Sequence, residues 1–228
     1  MSFSKGIIDS LSIDCLIFGW RNENLEVLLV KHGEGISKGK WALPGGWIRF
    51  NESIDEATNR LLSDLTGISN LYLEQFRTYG DVGRYPTKRV ITIAYLALVK
   101  PENFNIRPGF TASDAQWFDL HKIPDLPYDH NRILSEGLKH LKFKVKHEPI
   151  GFNLLPKKFT LSQIQLLYES MMKQKFDKPN FRRKLLSMQL LVPCKKKEKA
   201  ASHRAATLYR FDVKNYKKLM EKGFLFEL

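Results

Sequence analysis

The stretch Trp41-Ala42-Leu43-Pro44-Gly45-Gly46-Trp47-Ile48-Arg49-Phe50-Asn51-Glu52, continued by Ser53-Ile54-Asp55-Glu56-Ala57-Thr58-Asn59-Arg60-Leu61-Leu62-Ser63-Asp64-Leu65-Thr66-Gly67-Ile68, decides how this chain folds. From Glu52 to Thr66 the apolar residues Ile54, Ala57, Leu61, Leu62 and Leu65 recur at helical spacing, and Gly67 stands where a left-handed glycine ends a helix. A glycine-rich loop therefore leads into an amphipathic helix. Positions 61, 64 and 65 project from neighbouring parts of one helical face. The stripe assigns Leu61 and Leu65 to the core, in line with Ile54 and Ala57. Glu52 reads as a first-turn acid favoured by the helix dipole.

Outward from this segment, residues 11–20 and 25–31 are apolar, β-branched runs of strand length joined by Arg21-Asn22-Glu23-Asn24, which reads as a hairpin turn. Residues 73–79 and 89–99 form two more predicted strands. They precede a further strand over 115–120 and a helix over 129–144. That order describes a mixed sheet with helices packed on it.

Charge divides the chain in two. Of its 37 basic and 24 acidic side chains, residues 1–155 hold 19 and 18, whereas residues 156–228 hold 18 and 6. Nearly the whole surplus of +13 is thus C-terminal, and it points to an anionic partner. The composition changes after Glu148-Pro149-Ile150-Gly151, so domains are expected over 1–150 and 151–228. In the second, Thr160 followed by Gln163 is a capping-box signature, and Leu161, Ile164, Leu167, Tyr168 and Met171 repeat at helical spacing. A second helix is expected from Asp177-Lys178-Pro179. Phe181, Leu185 and Met188 form its buried stripe; Asn180, Arg183 and Ser187 lie opposite, flanked by Arg182 and Lys184, as on a recognition helix. Residues 190–193 and 207–211 read as strands around a basic loop, Lys195 to Arg204, which would be a wing.

Several classes are excluded. Apolar runs such as Ile91 to Val99 stop far short of the roughly 20 residues a membrane-spanning helix needs. The N-terminus carries no long apolar stretch of a secretory signal. Cys15 and Cys194 have neither disulfide nor zinc spacing, which places the chain in a reducing cytoplasm. No aromatic pair on a basic sheet suggests an RNA-binding module.

Gly46, Glu52, Arg60, Leu62, Gly67 and Ile68 fall in register with the Nudix box, and Trp41, Leu43, Pro44 and Gly45 resemble the family's approach to it. In a Nudix hydrolase the positions of Leu61, Asp64 and Leu65 carry carboxylates that hold magnesium against a diphosphate. The resemblance therefore implies a Nudix fold without catalytic residues, metal or cofactor. With the basic second half, the chain resembles the Nudix-related transcriptional regulators over nearly its whole length. Gly80-Asp81-Val82-Gly83-Arg84 and Arg89-Val90-Ile91-Thr92-Ile93-Ala94-Tyr95-Leu96 also match their pattern. The implied fold is α+β, a Nudix α/β/α sandwich with a mixed sheet followed by a winged helix-turn-helix. The implied partners are palindromic operator DNA, a small-molecule effector and a second copy of the chain, with no membrane. The chain is most similar to the arabinose-responsive branch, in which sugar binding releases DNA. Regulation of NAD metabolism by ADP-ribose and hydrolysis of nucleoside diphosphate derivatives remain as alternatives.

Lys178, Asn180, Arg182, Arg183, Lys184, Ser187, Lys195, Lys196, Lys197, His203 and Arg204 are the candidate DNA contacts, since lysine and arginine release counterions from phosphates. Arginine and asparagine can also read guanine and adenine edges. A sugar site needs hydrogen-bonding groups around a partly apolar pocket, and ADP-ribose also needs a cation or helix N-terminus for its phosphates. Lys31, His32, Trp41, Arg77, Tyr79, Asp81, Arg84 and Arg89, at the ends of predicted strands, are the effector candidates. Plainer readings stand beside them: Trp41 as core, His32 as a surface histidine, and Arg77 paired with a neighbouring carboxylate.

Overall fold

A computed structural model describes residues 10–197 and 206–228. The chain divides into two compact units, one holding the described residues up to Arg21 together with Leu25–His140, the other Asn22–Asn24 and Leu141–Leu228.

The first unit is built on β1 (Leu11–Arg21), which runs parallel to β6 (Ile91–Val99) from the pair Leu11 and Ile91 to the pair Gly19 and Val99. β2 (Asn24–His32) follows β1 through a tight turn, with Asn22 and Glu23 at φ of 49° and 63°. Both lie in the left-handed region that a two-residue hairpin requires. β2 pairs antiparallel with β3 (Trp41–Ala42) and β7 (Ala112–Asp119), β4 (Gly45–Trp47) with β1, and β5 (Glu74–Tyr79) with β6. The resulting order is β3-β2-β1-β6-β5, a mixed sheet.

Side chains of β1 alternate between two covering layers, as the pleat demands. Ile13, Cys15 and Ile17 cluster with Ala57, Leu61 and Leu62 of α1 (Ile54–Thr66). Leu16 points the other way and meets Gly137 of α2 (His130–His147) so closely that a Cβ on Gly137 would lie 2.9 Å from its Cδ1. A strand covered on both faces reads as a continuous apolar run. The described chain accordingly has the α/β layers and mixed sheet expected of it.

The start of α1 corrects two expectations. Ser53 is the N-cap; its hydroxyl accepts from the Glu56 N–H at 3.2 Å while Glu56 accepts from the Ser53 N–H at 2.7 Å, a full capping box. Glu52 therefore lies ahead of the helix, and Asp55 and Glu56 are its first-turn acids. Ile54 is exposed, so the buried stripe begins at Ala57.

The second unit contains α3 (Leu161–Met172), α4 (Lys178–Ser187), the hairpin β8 (Leu191–Lys197) and β9 (Thr207–Phe211), and α5 (Val213–Glu221). Phe152 stacks on Phe211 at 4.6 Å and contacts Phe159 and Phe226. Phe159 and Tyr209 exchange backbone hydrogen bonds of 3.0 and 2.7 Å, adding a bridge beside the hairpin. Lys195, Lys196 and Lys197 were expected in the loop but continue β8, since Lys197 pairs with Thr207 beyond a register shift. α5 had no counterpart in the sequence reading: its inward side chains, such as Tyr216 and Leu219, are only half-buried. No helix among the described residues is long and apolar enough to cross a membrane.

The Gly45 Cα faces the Ile13 carbonyl oxygen so closely that an added Cβ would fall well inside van der Waals contact with backbone. Gly35, at φ +75°, has nothing within 4 Å. Gly45→Ala should lower stability by about 2–3 kcal/mol, as overpacking against a rigid neighbour does, and Gly35→Ala by only about 1 kcal/mol. Urea denaturation of both variants checks the order.

Candidate effector cleft and DNA-binding helix

The loop entering α1 is tied down by one ion pair. Arg60 donates from Nη2 to Glu52 Oε1 at 2.5 Å and from Nε to Oε2 at 2.7 Å, and from Nη2 to the Trp47 carbonyl at 3.1 Å. Glu52 also accepts from the Arg49 N–H at 2.8 Å. Hydrogen bonding from Arg60, with a smaller contribution from Arg49, holds its carboxyl down at about 2. Asp64 lies 3.8 Å from Arg60 Nη1. Leu61 and Leu65 are each 4% exposed.

The family's metal can be tested on these groups. Of the three positions that would carry the carboxylates, two are apolar and the third faces a guanidinium. Among the described residues no three His, Cys, Asp or Glu side chains gather into a cation site. The residues do not fit a magnesium ion.

The same residues border a cavity. A cleft of about 370 Å³ opens above the helix, with Leu61 and Leu65 on its floor and Trp47, Tyr85, Phe110 and Tyr128 along its walls. Arg49 and Arg60 line it together with one acid, Glu34, and the Arg60 guanidinium is already paired with Glu52. The Tyr85 and Tyr128 rings lie 4.9 Å apart, and Tyr128 accepts a 2.8 Å hydrogen bond from Ser37. Through His32, Gly45, Gly46, Trp47, Tyr85 and Tyr128 the cleft shares walls with a smaller pocket of about 100 Å³.

Buried polar side chains, Ser12, Asp14, Thr92 and His130, line this second pocket. Arg84 binds Asp129 bidentately, at 2.9 Å from Nε and 2.6 Å from Nη2, and hydrogen-bonds Thr92 from Nη1. Ser12 and Thr92 share a 2.5 Å hydrogen bond. Asp14 sits between cation and imidazole, 3.6 Å from Arg84 Nη2 and 3.5 Å from His130 Nε2. Burial raises the Asp14 pKa and lowers that of His130. His130 Nδ1 accepts the Leu43 N–H at 3.2 Å, which leaves the proton on Nε2.

Of the eight effector candidates, the cleft and pocket bring together His32 and Arg84. Arg77 and Tyr79 instead bind Glu136, at 3.1 and 2.8 Å, and Asp81 pairs with Arg132. Lys31 lies 6.0 Å above the Trp41 ring, which packs edge-on against Phe118. These five residues and Arg89 do not line the cleft. The cleft residues absent from the sequence reading, Tyr85, Tyr128, Asp14 and His130, come from distant segments. The Tyr85-Pro86 and Tyr128-Asp129-His130 neighbourhoods carry no spacing that would single them out.

In the second unit, the turn between α3 and α4 hangs on Glu169. It accepts from the Phe176 N–H and from Gln165, each at 2.9 Å, and faces Lys175 at 3.3 Å. These bonds, the Phe176 N–H first, lower its pKa. Asp177 caps α4 by accepting from the Asn180 N–H at 3.0 Å. Phe181 and Leu185 face inward, while Lys178, Asn180, Arg183, Lys184 and Ser187 are exposed. Arg183 donates to Asn180 at 2.9 Å, so both present one polar face. Arg182 turns back to Ser162 of α3 at 3.0 Å and is half-buried, which removes it from that face. His203 and Arg204 lie outside the described residues, as do the side chains of Lys195, Lys196 and Lys197.

A ligand cleft in an α/β domain, carried on one chain with a basic winged helix, defines a ligand-responsive DNA-binding regulator. Residues 11–140 match the NUDIX domain family and residues 151–211 the NrtR DNA-binding winged helix domain. The chain belongs to the Nudix family, and its two domains together are those of the NrtR-like transcriptional regulators. It is similar to the ADPR responsive transcriptional repressor NtrR of Acinetobacter baylyi, 29% identical over 90% of this chain and 83% of that one. It is also similar to Shewanella oneidensis NrtR, whose crystal structure is 28% identical, covers 89% of this chain and 94% of its own, and superposes with a TM-score of 0.73. A complex of that protein with a 27mer DNA gives 0.71 at 26% identity, covering 89% and 93%. Its NUDIX domain complexed with ADP ribose gives 0.55 at 28% identity, covering 59% and 90%.

Glu52 titrates below its ordinary value, so the Arg60 pair stabilises the fold fully above about pH 4.5, and that contribution disappears as pH falls toward about 2. Arg60→Ala should therefore be less stable than the parent at pH 6, with the gap narrowing by pH 3 in chemical denaturation. A gap constant with pH would locate the effect of Arg60 elsewhere. Glu169→Ala should lower the melting temperature by several degrees, because it strips the α3–α4 turn of its acceptor.

Proposed function

We propose that this protein is a transcriptional repressor released from operator DNA by ADP-ribose, and that its Nudix domain binds this effector without hydrolysing it. The observation that carries the reading is the composition of the cleft: Arg49 and the Glu52-paired Arg60 beside a leucine floor, between aromatic walls, with Glu34 as its one acid. A diphosphate ligand calls for cations. Leucine in place of carboxylate at 61 and 65 removes both the magnesium cage and the repulsion that a metal-free diphosphate would meet there. A free sugar such as arabinose is uncharged and offers Arg49 no anion to pair with, while Arg60 is already paired with Glu52. The similarity to an ADPR responsive repressor, and to a NUDIX domain complexed with ADP ribose, favours the same effector and, with it, control of NAD metabolism over carbohydrate catabolism.

On the DNA side, α4 enters the major groove with Asn180, Arg183, Lys184 and Ser187, while Lys195, Lys196 and Lys197 approach the backbone, in a homodimer on a palindrome. A coupling of roughly 3 kcal/mol between effector and operator weakens DNA affinity by about two orders of magnitude.

Titration calorimetry with ADP-ribose tests the first domain. Binding should be equal in EDTA and in magnesium, with no AMP released; rapid magnesium-dependent cleavage would show a hydrolase instead. Arg183→Ala should reduce the ratio of operator to random-DNA affinity by roughly 10-fold or more, the worth of one base contact. Replacing Lys195, Lys196 and Lys197 by alanine should weaken all sequences alike and reduce the salt slope by roughly 3.

A further inference from the structure

We infer that Asn180 acts as the positioning residue of Arg183 rather than as a reader of adenine, and that the pair makes each operator half-site depend on a guanine. The inference rests on the reading of α4 as the helix that enters the major groove.

The scaffold fixes where the two side chains stand. Asp177 accepts the Asn180 N–H at 3.0 Å, which places Asn180 in the first turn of α4. On the inward side of the helix Phe181 and Leu185 are 6% and 0% exposed, and the Phe181 ring stacks on Phe176 at 5.4 Å. A helix clamped in this way does not turn about its axis to bring other side chains forward. Residues at i and i+3 are neighbours on its surface, and Arg183 Nη2 donates to Asn180 Oδ1 at 2.9 Å.

That bond decides what each partner can read. Asparagine recognises adenine by using its amide as a fork, the oxygen accepting from N6 while the nitrogen donates to N7. Here the oxygen already accepts from a cation. An amino group brought to the same oxygen would stand beside the guanidinium, whose positive charge repels a donor. Asn180 is left with its Nδ2 hydrogens. Arg183 gives one N–H to Asn180 and keeps the rest of its fork, enough for paired bonds to guanine O6 and N7. Holding the guanidinium beforehand also reduces the rotamer freedom it loses on meeting DNA.

The other polar side chains of α4 do not blur this pattern. Arg182 is engaged with Ser162 at 3.0 Å. Ser187 donates its hydroxyl hydrogen to the Lys184 carbonyl at 2.7 Å and so turns only lone pairs outward. Ahead of Ser187 the exposed face therefore offers donors, and guanine, with two acceptors on its major-groove edge, is the base that matches them.

Selection of bound duplexes from a random-sequence pool by the full-length protein, without effector, tests this on the parent, Arg183→Ala, Asn180→Ala and Asn180→Asp. Both side chains are exposed, and an acid in the first turn suits the helix dipole, so an unchanged melting temperature should accompany each variant. The parent should prefer guanine at one position of each half-site by roughly 10-fold or more, and Arg183→Ala should erase that preference. Asn180→Ala should weaken the same preference by about 3- to 10-fold, the worth of one side-chain hydrogen bond, without changing any preference for adenine. Asn180→Asp should keep it, because a carboxylate oxygen still accepts from the guanidinium although it can no longer donate. Its added charge weakens all sequences alike, so the preference is read and not the affinity. Loss of an adenine preference in both Asn180 variants overturns the inference and leaves α4 in the groove. So does an Asn180→Ala profile identical to the parent's, or an Asn180→Asp profile as weakened as that of Asn180→Ala. If Arg183→Ala selects the same sequences as the parent, or the parent selects none, the reading of α4 falls and the inference with it.

Discussion

The first unit depends on β1 being covered on both faces. Because alternate residues of a strand point to opposite sides, Ile13, Cys15 and Ile17 commit one face to α1, while Leu16 commits the other to α2. Where the run turns polar, at Ser12 and Asp14, the covering layer cannot close over it without partners. Ser12 finds Thr92, its neighbour in register on β6, and Asp14 is left facing Arg84 and the first residue of α2. The pocket is the interruption of an otherwise dry core.

Such a group of buried charges is costly unless each is compensated. Arg84 is neutralised by its bidentate bond to Asp129, which leaves Asp14 with only longer contacts. The arrangement keeps the cluster folded without exhausting its acceptors. At the mouth of the cleft the opposite solution holds, since Glu52 and Arg60 satisfy each other and fasten the glycine-rich loop to α1. The leucines at 61 and 65 then serve two ends at once, closing the core below and forming an apolar floor above.

In the second unit a single carboxylate again organises a turn. Glu169 collects the Phe176 N–H and the Gln165 amide, so that α4 leaves α3 at a defined place with Asp177 as its cap. Phe181 and Leu185 anchor α4 inward. The exposed Asn180 and Arg183 are consequently presented together, while Arg182 is spent on holding the two helices.

Local chemistry determined much of this from the sequence alone. The apolar runs, the helical stripe ending at Gly67, the cap at Thr160 and the start of α4 at Asp177 each depend on neighbours within a few residues, and a one-dimensional pattern records them. The mismatch of Leu61 and Leu65 with a magnesium site is likewise legible, because it concerns one helical face. The cluster of polar side chains beside the cleft is not. Asp14, Arg84, Thr92 and His130 are separated by tens of residues, and only strand register and the placement of α2 bring them within reach of one another. For the same reason Arg77 and Tyr79, which looked equally suitable at a strand end, face Glu136 instead, and Arg182, one residue from Arg183, is turned inward by the helical rotation of about 100° between them. Residue types and spacing thus specify the elements and their chemistry, whereas which polar groups share a cavity depends on long-range packing, which alone determines which faces meet.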